Sequence, residues 1–107
     1  MIPLDVKFVS EKIENAFHSL ENNDPIKKVI IRAIKDLQQD AFFGIQIPKR
    51  LFPKEYIKKY SITNLWKYDL PNGWRLIYTI NPENEVKIMT AILEWFDHEN
   101  YERKFKY

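Results

Sequence analysis

The chain has 107 residues, no cysteine and two histidines, His18 and His98, with a net charge of +2. That length suits one domain over residues 1–107 with a single conventional core. The lack of cysteine excludes disulfide scaffolds, thiolate zinc sites and cysteine nucleophiles, and two histidines cannot build a multi-histidine metal centre, so no metal is expected. An apolar fraction of 45% and a charged fraction of 30% are those of a soluble globular protein, and no apolar stretch approaches the ~20 residues that cross a bilayer, so no membrane association is expected. Met1 to Phe8 lack the basic start and long apolar middle of a secretory signal, which predicts a cytoplasmic protein. The two glycines, Gly44 and Gly73, stand in no phosphate-cradling array, so no nucleotide cofactor is expected.

Ile2, Leu4, Val6 and Phe8 recur at every second position, the period of a strand with one buried face. Ser10 is a good N-cap for a helix carrying Ile13, Ala16, Phe17 and Leu20 on one stripe. Asp24-Pro25 starts a second helix, because Asp supplies the capping oxygen and Pro at the first helical position loses no hydrogen bond. Its apolar positions run from Ile26 through Leu37 towards Ala41, with Gly44 as the expected stop. Two helices joined by so short a turn lie antiparallel, and their apolar face needs a cover.

The rest of the chain supplies a sheet. After Ile45-Gln46-Ile47, Pro48 and Pro53 interrupt regular pairing, and one or two helical turns are expected over Pro53 to Ile57. This excursion holds five bases, Lys49, Arg50, Lys54, Lys58 and Lys59, against one acid, Glu55. Such a cluster reads either as a solvated surface or as a contact for a phosphate backbone. Residues 62–70 are strand-like, Pro71-Asn72-Gly73 is a tight-turn signal, and Trp74 to Ile80 is the returning strand. A second turn at Asn81 to Asn84 leads to a third strand over Val86 to Leu93, and Asp97 caps a terminal helix with Tyr101 and Phe105 on one face.

The expected architecture is therefore α+β, a helical hairpin on one face of a twisted antiparallel sheet in the order β-α-α-β-β-β-α, with the other face partly open. Alternation places Arg75 with Ile77 and Thr79, opposite the bulkier Trp74, Leu76 and Tyr78 that belong against the helices, so Arg75 should look outward. A three-residue turn at Pro71 to Gly73 would also set Asp69 directly opposite Arg75, in reach of a cross-strand salt bridge.

The segment Leu65-Trp66-Lys67-Tyr68-Asp69-Leu70-Pro71-Asn72-Gly73-Trp74-Arg75-Leu76-Ile77-Tyr78 resembles the central hairpin of the RelE/ParE toxin superfamily. Asp97 to Phe105, with His98 three residues before Tyr101, is similar to the closing segment of many RelE-type members. The resemblance implies a small cytoplasmic toxin of a toxin-antitoxin pair, with a cognate antitoxin as protein partner. It also implies a metal-independent endoribonuclease that cuts messenger RNA on the ribosome without a cofactor. In that chemistry the RNA 2'-hydroxyl attacks the adjacent phosphorus, which calls for a base, cations on the phosphate and an acid for the leaving oxygen.

By resemblance, Arg75 holds the phosphate, His98 transfers protons, and Tyr101 stacks on a base or hydrogen-bonds near the scissile group. Lys49, Arg50, Lys54, Lys58, Lys59, Lys67, Arg103 and Lys104 are candidates for RNA contact. The sequence departs from the family pattern at Trp66 and Tyr68, which fall where ribosome-dependent enzymes carry lysines, with Lys67 between them on the opposite face, and at Trp95, where some members have arginine. These departures leave two alternatives: a catalytically depleted member that binds an antitoxin or RNA without cutting, and a ParE-like inhibitor of DNA gyrase.

Overall fold

The computed structural model describes residues 5–71, 74–81 and 85–90, the last two by their backbone. The elements are β1 (Asp5–Phe8), α1 (Glu11–His18), α2 (Pro25–Gln39), β2 (Ile45–Gln46), a 3-10 turn at Lys49–Leu51, α3 (Lys54–Tyr60), β3 (Trp66–Asp69), β4 (Arg75–Ile80) and β5 (Glu85–Thr90). Both expected helix starts are present. The Ser10 hydroxyl accepts from the Ile13 N–H at 3.3 Å, and the Asp24 carboxylate accepts from the Ile26 N–H at 2.9 Å with Pro25 following. The expected terminal helix, the last residues of the third strand and the start of the first strand lie outside the described residues.

The five strands form one sheet in the order β1-β5-β4-β3-β2. The β3-β4-β5 meander is antiparallel as expected, but β1 joins the far side of β5 in parallel, which makes the sheet mixed. A parallel neighbour needs a long crossover, and all the chain between β1 and β5 supplies it. On one face Phe17, Ile30, Ala33 and Leu37 of the helical hairpin meet Leu76, Tyr78, Val86 and Ile88, all buried. Each such aliphatic side chain contributes about 1.5–3 kcal/mol on leaving water.

The opposite face is partly open, as expected, but its middle is covered. Ile47, Leu51, Tyr56 and Leu65 close around Ile77 as a second core, flanked by Val9, Phe52, Tyr60 and Ile62. The excursion after β2 is thus an ordered arm, a 3-10 turn followed by the two turns of α3, fastened to the sheet by Leu51 and Tyr56. Pro48 and Pro53 each stand immediately before a helical segment rather than merely breaking strands. β3 is shorter than the strand-like run because Asn64 replaces a strand neighbour with its side chain. Its amide donates to the Ile80 carbonyl at 2.8 Å and accepts from the Ile80 N–H at 2.8 Å.

α2 ends at Gln39, short of Gly44, and the Asp40 carboxylate turns the chain by accepting from the Phe42 N–H at 2.9 Å. Gly44 is demanded by close approach instead. The Tyr78 hydroxyl donates to the Ala41 carbonyl at 2.8 Å and accepts from the Gly44 N–H at 3.0 Å. A Cβ at Gly44 would collide with the Lys67 carbonyl oxygen and lie 2.7 Å from that hydroxyl. Gly44→Ala should therefore destabilise the fold by about 1–3 kcal/mol through overpacking. Tyr78→Phe should lose about 1–3 kcal/mol by orphaning the Ala41 carbonyl. Urea unfolding midpoints measure both.

Candidate nucleic-acid interface

The register of the central hairpin pairs Lys67 with Ile77 and Asp69 with Arg75. Residues directly opposite one another share a face, so Lys67, Asp69 and Arg75 project from the side covered by the second core. Arg75 is on the face expected for it, and the anticipated cross-strand pair forms, with Nε 2.8 Å from the Asp69 carboxylate. It does not stand out in solvent, however. Its side chain is 14% exposed, and one guanidinium nitrogen donates to the Trp74 carbonyl at 3.1 Å. Ile77, the next residue of β4 on that face, is fully buried in the second core.

Lys67 reaches the same Asp69 oxygen at 3.9 Å and is 17% exposed, against 49% for Asp69. Two covered cations therefore converge on one carboxylate at the solvent side. A second group of the same composition lies across the face, where Glu85 stands 3.8 Å from Lys7 and 3.7 Å from Lys87. Sequence reading passed over this group. The alternation of Lys87 with Val86 and Ile88, and of Lys7 with Val6 and Phe8, was the available signal. Beside the second group, an open cleft of about 250 Å³ is bounded by Val9, Tyr60, Ile62 and Lys87. It borders Thr79, roughly 13 Å along β4 from Arg75 at the usual strand rise.

The arm adds charge beside this face. Lys49, Arg50, Lys54, Lys58 and Lys59 are all exposed, while Leu51 and Tyr56 between them are buried against the sheet. α3 closes with Ser61 in the left-handed region, at φ 52°, which turns the chain back towards β3. His98, Tyr101, Arg103 and Lys104 lie outside the described residues, so the described geometry brings together Arg75, Lys67 and the arm alone.

Trp66 and Tyr68, at the positions where the resemblance expects lysines, face α2 and pack on the first core. Phe42 lies edge-on to Trp66 at 5.4 Å and Phe43 stacks on Tyr68 at 5.6 Å. The Tyr68 hydroxyl donates to the Asp36 carboxylate at 2.5 Å. Burial and this bond raise its pKa to about 12 from the usual 10.0. These aromatic rings belong to the packing between sheet and helix. Among the described residues no group of three or more His, Asp or Glu side chains is placed to hold a metal ion, and no helix is long and apolar enough to cross a membrane.

No protein-family model matches the sequence, and no curated protein matches it. The fold is nonetheless recognisable as RelE-like. A solved structure of E. coli toxin RelE, a double arginine-to-alanine mutant in the free state, superposes with a TM-score of 0.53 over 98% of this chain and 97% of that one, at 14% sequence identity. Among the described residues, three helices and a five-stranded sheet give the α+β, RelE-like fold that the resemblance implied, with the sheet mixed rather than antiparallel.

Burial also raises the Tyr78 pKa to about 12. With both phenols holding their protons more tightly in the folded state than in the unfolded chain, their contribution to stability is complete below about pH 10 and is lost as pH rises towards 12. Urea unfolding across the alkaline range should show this decline, and Tyr68→Phe and Tyr78→Phe should each make it shallower.

Proposed function

We propose that this protein is a RelE-like toxin of a toxin-antitoxin pair, acting in the cytoplasm as a metal-independent, ribosome-dependent messenger-RNA endonuclease restrained by a cognate antitoxin. The observation that carries the reading is the placement of Lys67 and Arg75 on the sheet face over which the basic arm is folded, within a RelE-like fold. RNA brings its own nucleophile, so the protein needs only to position a phosphate, stabilise the charge that builds on it and exchange protons. In this reading Arg75 grips the scissile phosphate and Lys67 adds a second positive charge. His98 and Tyr101 supply proton transfer and base stacking, with Arg103 and Lys104 as further backbone contacts. The exposed arm residues Lys49, Arg50, Lys54, Lys58 and Lys59 hold the flanking strand through its phosphates, a contact independent of base sequence.

A second reading has its own support. Trp66 and Tyr68 are committed to the core, and Asp69 already neutralises part of the cationic pair, features that fit a module that binds RNA or an antitoxin without cutting. Induced expression should arrest growth, and purified protein should cleave message on translating ribosomes, with Arg75→Ala lowering cleavage by about a hundredfold or more. Tight RNA or antitoxin binding without cleavage would establish the second reading, and unaffected growth with neither binding nor cleavage would remove both. Neutralising Lys54, Lys58 and Lys59 together should leave the fold intact, since all three are exposed. In fluorescence anisotropy it should reduce the slope of log affinity against log salt for single-stranded RNA by about 2.

A further inference from the structure

The group formed by Lys67, Asp69 and Arg75 has its parts in an unusual order. The cations are the covered members, at 17% and 14% side-chain exposure, and the carboxylate is the outer one, at 49%. Both cations point to the same oxygen of Asp69, at 3.9 Å and 2.8 Å. The guanidinium is further tied to the Trp74 carbonyl at 3.1 Å, which limits its freedom to swing out. Asp69 has a short side chain at the end of β3 and is the member able to turn aside.

We propose that Asp69 is a resident counter-anion occupying the phosphate position, so that RNA enters by displacing its carboxylate from Arg75 and Lys67. The inference rests on the RNA reading given above and deepens it. A phosphate cannot share the two cations with a carboxylate a few ångströms away without strong repulsion in a half-buried site. Binding therefore includes the work of moving Asp69 into solvent. The carboxylate keeps the cations paired when no RNA is present and sets a threshold that stray anions do not cross. It is a positioning residue, acting through Arg75 rather than on the substrate.

Asp69→Asn keeps an acceptor oxygen for Arg75 and removes the charge, and a merely structural role predicts that it weakens the hairpin and RNA binding alike. Fluorescence anisotropy with a 2'-O-methyl, uncleavable single-stranded RNA separates the two. The Asn variant should bind about three- to tenfold more tightly than the wild type. Glu21→Gln, an equal change in net charge at an exposed position on the far side of α1 in sequence, should not tighten binding, and the gain should vanish when Arg75→Ala is added. Equal or weaker binding by Asp69→Asn, an equal gain in Glu21→Gln, or a gain that survives Arg75→Ala overturns the proposal. Circular dichroism checks the fold, and if the Asn variant does not fold, Asp69→Ser carries the same expectation. Wild-type binding through Arg75 without a gain removes the counter-anion alone, whereas absence of binding by both wild type and variant removes the RNA reading with it.

Discussion

The antiparallel register between β3 and β4 governs both faces of the molecule. With Asp69 opposite Arg75 and Trp66 opposite Tyr78, every bulky aromatic of the hairpin turns towards the helices and every charged residue turns towards the arm. A slip of one residue would exchange the two sets, burying Lys67 and Arg75 against Leu37 and Ile30 and exposing Leu76 and Tyr78. The cost of such an exchange is large on both sides, since it combines lost apolar burial with charges left in a dry interior. Hydrophobic sorting and electrostatics therefore select the same pairing. The Asp69–Arg75 ion pair at the turn end is favoured by that pairing and contributes modestly to it, as partly exposed pairs do.

Tyr68 ties α2 to β3 through Asp36, and a second phenol ties the chain that leaves α2 to β4. Tyr78 lies in the middle of β4, fully buried, with its hydroxyl emerging between Ala41 and Gly44. This bond brings the chain after α2 so close to β3 that residue 44 has no room for a side chain. Everything downstream depends on that approach. β2 pairs with β3 next to Gly44, Ile47 enters the second core directly afterwards, and the arm follows. The position of five cations beside the sheet thus follows from this close approach together with the β2–β3 pairing and the second core.

The outer face resolves its charge into small groups in which a carboxylate serves two cations. Asp69 does this for Arg75 and Lys67, and Glu85 does it for Lys7 and Lys87. Such an arrangement compensates the covered Arg75 and Lys67 and the more exposed Lys7 and Lys87 alike, while leaving each group one positive charge in excess. The exposed arm is different in kind, because its lysines and Arg50 reach water and attract a polyanion at long range, subject to salt screening. A steering surface and a compensated inner site divide the work of electrostatic recognition between them.

Local chemistry alone marked out much of the fold. Ser10 and Asp24-Pro25 placed the helix starts because a cap is made within a few residues of itself, and the alternation through Trp74 to Ile80 assigned the faces of β4 because side-chain direction in a strand has a period of two. The hairpin motif itself pointed to the RelE-like fold, and Asp69 could be set against Arg75 from the turn length. What lay beyond the sequence depended on residues distant along the chain: the parallel seat of β1 beside β5, the second core around Ile77, and the reason for Gly44, which is the arrival of Tyr78 and the Lys67 carbonyl. The accessibility of Arg75 belongs to this second class. Its direction follows from local alternation, but its side-chain exposure of 14% is set by packing between residues distant along the chain, and only the tertiary structure decides that.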